Sequence, residues 1–353
     1  MNSFENIRKQ IPKLINSIIA LGNPMIDITA PQCERNYIEE FHLNEGINYT
    51  TNNNLAFFSR IEEMIYVSKS LGGSALNILR SLSWCLKKNN INGKKLSMLG
   101  SVGNDTYKNM IITSLQSLNI STDFLEILQN ENTSKCAVAI YDNKRYFLSD
   151  ILASKHLSGN FVQSKWDEII SHDAIIIEGY YIKENFQLCR QICEQFYNNG
   201  KYIILTLSDP STIEQCRNEI SDIANMADMI VGSQKSALKF IGEQNNIRIN
   251  DLFKKIYQIL NNRDRIILIT VGKQGVFCSK YNSNTNRETY FQSFPLTAPA
   301  IVDLNGAGDA FVGGFLSQQM QNQTLENCCN SGNNTASIVI QNIGCNFPQI
   351  SRN

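Results

Sequence analysis

One stretch of this chain combines residue types and spacing that can do chemistry: Asp303-Leu304-Asn305-Gly306-Ala307-Gly308-Asp309-Ala310-Phe311-Val312-Gly313-Gly314-Phe315. Gly306, Ala307 and Gly308 are small, so a ligand can approach the backbone closely. Phe311 and Phe315 stand four apart, on one face of a helix that the small residues open. The first amides of a helix have no internal partner and point outward with the positive end of the dipole. Such a mouth suits a phosphoryl group in transit. Asp309 falls in the first turn beside it, where the dipole favours the charged form and makes the carboxylate a weak base. A weak base suffices, because the loose transition state of phosphoryl transfer lets the attacking hydroxyl keep its proton until late. The plainer alternative is a capped helix after a tight turn.

Composition bounds the partners. Lys plus Arg and Asp plus Glu each number 32 among 353 residues, so the formal net charge is zero. A neutral chain has no global electrostatic footprint for nucleic acid or an anionic membrane, which leaves room for a local anion site only. No apolar run approaches the roughly 18 residues of a spanning helix. The 42% hydrophobic content supplies a sizeable core. The ten cysteines are scattered without a Cys-x-x-Cys, and only three histidines occur, so no zinc site is expected. Cys189 and Cys193 lie four apart on a helix face; they read as small buried hydrophobes of a reducing compartment, with a metal or redox role as the alternative. No secretory signal opens the chain. The basic segment from Phe4 to Ile15 contains Glu5 and Pro12, which argue against a mitochondrial address. A cytoplasmic protein is expected, and Asn-x-Ser/Thr triplets such as Asn48-Tyr49-Thr50 then carry no meaning.

Elements that could position the site alternate along the chain. Candidate strands are 17–21, 96–101, 174–178, 202–207, 229–231, 266–271 and 275–279, nearly continuous in hydrophobicity, as strands covered on both faces are. Candidate helices are 74–87, 107–118, 185–197, 234–241, 250–260, 309–320 and 325–341. This alternation predicts an α/β fold, a doubly wound and mostly parallel sheet with helices on both faces. Residues 31–70 read as polar and irregular, and 135–149 as a hairpin turning at Asp142-Asn143. Together they predict a small β lid over the carboxyl ends of the strands, where ligands of open α/β sheets bind. The main unit is then 17–353, with 1–16 as an N-terminal extension.

Several separated motifs resemble the ribokinase-like (PfkB-type) kinases, and within them the branch that phosphorylates adenosine. Gly22-Asn23-Pro24-Met25-Ile26-Asp27 closes the first strand, where that family has Gly-Asn-Pro and an Asp on the ribose hydroxyls. Gly72-Gly73-Ser74-Ala75-Leu76-Asn77 matches a glycine pair and Asn that also contact the sugar. Asp303 to Gln318 resembles the Asp-Thr-Asn-Gly-Ala-Gly-Asp segment, differing at Leu304, and Gly344-Cys345-Asn346-Phe347-Pro348 fits the adenosine branch. The resemblance spans about 18 to 348 in order. It implies ATP and Mg²⁺ as cofactors, adenosine as the nucleoside substrate, and a monomer. It implies Asp309, the amides of Gly306, Ala307 and Gly308, and Arg145 as catalytic. It places Asn23, Asp27, Gly72, Gly73, Ser74, Asn77, Tyr180 and Tyr181 around the nucleoside, and Asn305, Gly272 and Gly275 around ATP. For the aromatic pair core packing stays open as the alternative, and for Arg145 a solvated hairpin charge.

The chain departs from the family where magnesium is organised. Ser233 and Ser236 stand where Asn and Glu are expected, Lys235 lies beside them, and Thr206 replaces another Asn. Losing one such outer partner typically costs roughly 10–100-fold in metal affinity or activity. Asp209 is a nearby carboxylate that could compensate. The rival expectation is therefore a degenerate member that kept the fold as a binding or scaffold subunit of a larger assembly.

Overall fold

Alternate residues of the central strands feed two different cores. Ile18 and Ala20 of the first strand, with Ile176, Ile204 and Leu268, pack into one apolar cluster, and Ile19 and Leu21, with Ile175, Ile177, Ile203, Leu205, Ile267 and Ile269, pack into another. This is why the strands read as unbroken apolar runs: a side chain on either face meets a helix. Burying a side chain of this size contributes roughly 1.5–3 kcal/mol, so the strand ends are held on a rigid support.

The protein is described by a computed structural model that covers residues 14–44, 48–51, 55–142, 144–261, 263–283, 287–293 and 301–350. The strands are β1 (Ser17–Leu21), β2 (Met25–Ala30), β3 (Asn48–Thr51), β4 (Ser68–Gly72), β5 (Lys95–Gly103), β6 (Ile120–Ser121), β7 (Leu125–Leu128), β8 (Ser134–Tyr141), β9 (Lys144–Asp150), β10 (Ala174–Glu178), β11 (Tyr202–Thr206), β12 (Met229–Ser233), β13 (Arg265–Thr270), β14 (Val276–Asn282) and β15 (Arg287–Ser293). The helices are α1 (Arg35–Glu40), α2 (Leu55–Glu62), α3 (Ser74–Lys88), α4 (Thr106–Ser117), α5 (Gly159–Ser164), α6 (Trp166–Ile170), α7 (Gly179–Asn198), α8 (Pro210–Met226), α9 (Gln234–Phe240), α10 (Ile249–Ile259), α11 (Ala307–Gln319) and α12 (Leu325–Val339).

The main sheet has the order β15-β14-β13-β12-β11-β10-β1-β5-β6, with β7 also on β5. It is parallel from β13 through β1 to β5, and antiparallel at β13–β14 and β14–β15. Helices α3, α11 and α12 contribute to one core, and α7, α8 and α10 to the other. A second sheet, β3-β9-β8-β2-β4, stands beside the first. The hairpin of this sheet is β8–β9, with Asp142 at φ 50° in its turn; Asn143 lies outside the described residues, as does most of the basic N-terminal segment.

The described residues of 31–70 are not irregular. They carry α1, α2, β3 and β4, and Tyr37 and Phe41 pack their rings 5.0 and 4.8 Å from Phe57. Short helices of six to eight residues show too few turns for a periodic apolar pattern. Helix α8 also escaped the sequence reading, although Asp209 caps it and Pro210 opens it. Helix α7 begins at Gly179 rather than 185, with a kink at Asn185 (φ −138°). All ten cysteines are free and buried; Cys189 and Cys193 sit in the second core, where burial pushes both thiols up. Among the described residues no helix is long and apolar enough to cross a membrane.

Candidate active site

The parallel strands β1, β10, β11, β12 and β13 end on the same side of the main sheet, and the second sheet leans over that side. Between them lies a cavity of about 440 Å³. Met25, Asp27, Cys136, Phe147 and Ser149 line it from the second sheet, and Thr206, Val231, Gly232, Ser233 and Thr270 from the strand ends.

Helix α11 opens onto the cavity. Its N-cap Gly306 is left-handed (φ 75°), and a Cβ there would sit 2.5 Å from the Cβ of Cys345. Glycine is therefore required twice over, by conformation and by space. The Gly344-Cys345 turn is itself fixed, because the Gly344 N–H donates to Asp303 at 2.8 Å. Gly308 has nothing within 4 Å of a Cβ position. Asn305, Gly306, Gly308 and Asp309 border the cavity, whereas Ala307 does not. Its N–H turns back to Leu304 O at 3.3 Å, which takes one of the three expected amides out of the mouth. The amides of Gly308 and Asp309 belong to the first turn, where helical geometry offers no partner.

Asp309 accepts from Ser74 Oγ at 2.6 Å and from Asn77 Nδ2 at 3.4 Å. Burial lifts its carboxyl to about 6, against the pull of those two hydrogen bonds. The expectation of a dipole-weakened base is thus corrected: desolvation wins, and Asp309 is a better base than a surface Asp. Asn77 is aimed by Arg80, whose Nη1 donates to Asn77 Oδ1 at 3.1 Å and leaves the amide nitrogen to face Asp309. Arg80 was not singled out from sequence; it is a rare buried arginine, 9% exposed, one turn beyond Asn77 on α3.

Asp27 also faces the cavity. Burial raises its carboxyl to about 7, with the Asn305 hydrogen bond opposing and the charge of Asp309 adding. Gly72 does not border the cavity; a Cβ there would overlap the Asp27 carboxylate, so its part is to let Asp27 in. Gly73 (φ 93°) would likewise collide with Asn23 O. Asn23, Gly73, Ser74 and Asn77 all line the wall. Glu178 lines it too, and sequence reasoning missed it: a carboxylate ending the apolar run Ala174–Ile177 was the available signal.

Besides Ala307 and Gly72, four expected residues stand outside the cavity lining. Tyr180 borders the cavity, but Tyr181 is fully buried in the second core, because successive residues of α7 point about 100° apart. Arg145 does not border it. Its Nη2 donates to the Asp303 carboxylate at 3.0 Å and to Val302 O at 3.3 Å; a carboxylate only 2% exposed claims the guanidinium. Gly272 and Gly275 (φ 50° and 79°) shape the turn after β13, outside the lining, which ends on that strand at Thr270.

The substituted positions Thr206, Ser233 and Ser236 do border the cavity. Ser233 Oγ accepts from Ser236 N at 3.1 Å and lies 2.8 Å from Ser236 Oγ, which donates to Ser208 O at 2.7 Å. Ser208 itself is held at φ 62°. Asp209 accepts from Ser211 and Thr212, both backbone and hydroxyl, as the cap of α8. Burial opposes these bonds, yet they hold its carboxyl below the usual range. Asp209 is therefore engaged in capping rather than free to compensate. Among the described residues no group of three His, Cys, Asp or Glu side chains could hold a metal.

A helix mouth with free amides, an acid in its first turn and a cavity at the parallel strand ends define an α/β phosphotransferase with an alcohol acceptor. The profile of the pfkB family of carbohydrate kinases matches residues 47–352, and the chain belongs to that family. It is 24% identical over 344 residues to adenosine kinase 2 of Arabidopsis thaliana, covering 94% of this chain and 96% of that one. To adenosine kinase of Saccharomyces cerevisiae it is 23% identical over 336 residues, with the same coverage. Its fold is similar to that of Schistosoma mansoni adenosine kinase in complex with 2-fluoroadenosine, with a TM-score of 0.82 at 19% identity over 95% of this chain and 98% of the other.

Proposed function

We propose that this kinase transfers the γ-phosphoryl group of ATP to the 5′-hydroxyl of a nucleoside, with adenosine the preferred acceptor and AMP and ADP the products. The observation that carries the reading is the placement of Asp309 and Asp27 in one cavity, with the open mouth of α11 between them and the sheet ends. Asp309 takes the hydroxyl proton. The amides of Gly306, Gly308 and Asp309 stabilise charge on the moving group. Asp27, Asn23, Gly73, Ser74 and Asn77 position the ribose. Met25, Cys136, Phe147 and Tyr180 give a flat base an apolar and aromatic surround. ATP lies beyond Asn305, towards the turn at 272–275. The second sheet acts as a lid whose closure excludes water and suppresses ATP hydrolysis. The working unit is 17–353, a cytoplasmic monomer in purine salvage.

The residues at 206, 233 and 236 do not fit a magnesium-organising set: the Ser233 and Ser236 hydroxyls bond to each other and Ser236 to the main chain, while Thr206 Oγ1 is buried without a partner. Nucleotide triphosphates carry magnesium on their own phosphates. This same observation favours a second reading, a kinase fold that binds nucleoside without transferring phosphate. A coupled assay with adenosine, ATP and magnesium separates the two, run beside a thermal-shift titration. ADP release that depends on adenosine supports the kinase. A shift with adenosine but no turnover supports the binding protein, and neither response removes both.

A further inference from the structure

Glu178 is the most deeply buried acid of the site, 0% exposed, and the reaction as derived gives it nothing to do. Its two oxygens are each engaged by a main-chain amide from a distant part of the chain. Oε1 accepts from Asn23 N at 2.8 Å, and Oε2 from Ala75 N at 2.6 Å. Asn23 lies in the turn after β1. Ala75 lies in the first turn of α3, where an amide has no helical partner and a carboxylate is well placed. A third element is shaped around the same group. A Cβ on Gly22 would sit 2.6 Å from Glu178 Cδ and 2.8 Å from Oε1, so the chain keeps glycine where the carboxylate passes.

The two amides flank the residues that hold the base. Ser74, beside Ala75, donates to Asp309 at 2.6 Å, and Asn77, one turn along α3, lies 3.4 Å from the other oxygen. The geometry points to Glu178 as a positioning residue for phosphoryl transfer: it ties the end of β10 to the Asn23 turn and to the start of α3, and so fixes Ser74 and Asn77 on Asp309. It acts through those residues, since both of its oxygens are engaged by the main chain. This inference rests on the reading of Asp309 as proton acceptor, and its effect falls more on the rate than on nucleoside affinity, which Asn23, Ser74 and Asn77 share with Asp27 and Gly73.

Two substitutions reach the carboxylate from opposite sides. Glu178→Gln keeps the shape but turns one N–H donor against another. Gly22→Ala keeps every charge and crowds both ends of the tether, the carboxylate and Ala75 Cβ, 2.5 Å from the new methyl. Misplacement by about 1 Å costs on the order of a hundredfold in rate, so each variant is expected to lower kcat at least tenfold with the adenosine KM changed less than about threefold. A raised KM at unchanged kcat would overturn the inference, because Glu178 would then be a substrate ligand; so would wild-type values of both. Amide hydrogen exchange, read on the same proteins without substrate, separates the inference from the functional reading. Protection at Asn23 and Ala75 is expected to drop in Glu178→Gln while the strands β10 and β11 keep theirs. If the wild type proves inactive, the functional reading fails, and unchanged protection at those two amides would overturn the tether as well.

Discussion

At the Asp309 end of the cavity, side chains meet across most of the chain, whereas at the Ser233 end most of the side-chain bonds join residues two or three apart. Ser74 and Asp309 are 235 residues apart, Asn77 and Asp309 232, and Asp27 and Asn305 278. Ser233 and Ser236 are three apart, and Asp209 bonds residues two and three positions on. The first set exists only because the fold brings it together, and it holds two carboxyls at about 6 and about 7 in a buried space. Such a set is costly to maintain, since each unpaired buried charge loses its hydration. The second set is what capping chemistry supplies at many helix starts. The difference teaches that one end is arranged as the proposed transfer to a hydroxyl requires, and that the other has the bonds of ordinary helix capping.

The sharpest way to break this contrast is Asp309→Asn. Turnover in the coupled assay is expected to fall by about 10²–10⁴, the weight of a positioned base, with adenosine affinity by calorimetry kept within about threefold. Next comes Gly308→Val. No atom stands within 4 Å of a Cβ at Gly308, so the branch point of the new side chain meets open space at the mouth. A loss on the order of a hundredfold in kcat is expected, at an unaltered melting temperature. The Ser233 end should respond in the opposite direction: Thr206→Asn with Ser233→Asn and Ser236→Glu is expected to raise magnesium-dependent turnover by about tenfold. An unchanged rate would mean that this end never belonged to a metal network.

The smallest effect is on stability. Asp27 is raised from an ordinary 3.8 to about 7 in the folded protein. The folded state therefore binds more protons than the unfolded one between those values, and stability falls as pH rises through that window. The melting temperature is expected to be lower at pH 7.5 than at 5.5, and Asp27→Asn to flatten that slope. A steeper slope in the variant would locate the effect elsewhere.

The sequence carried the main sheet well, because strands buried on both faces are unbroken apolar runs such as Ala174–Ile177. It also carried Asp309 to the cavity, through the small residues that open a helix, whereas Asp27 came only from the resemblance of 22–27 to the kinase family. It lost what depends on three-dimensional neighbours. Tyr180 and Tyr181 look alike in sequence, yet one faces the cavity and the other the core. Arg145 reads as free, yet a buried Asp303 holds it. Glu178 and Arg80 draw their meaning from amides and side chains far along the chain, which no local pattern encodes.

The pH dependence of kcat tests the central claim most directly. With Asp309 titrating at about 6, wild-type kcat should decline below that value as the carboxylate takes up its proton, and the residual activity of Asp309→Asn should lack that limb. An acidic limb of the same midpoint in both proteins would contradict Asp309 as the group that receives the hydroxyl proton.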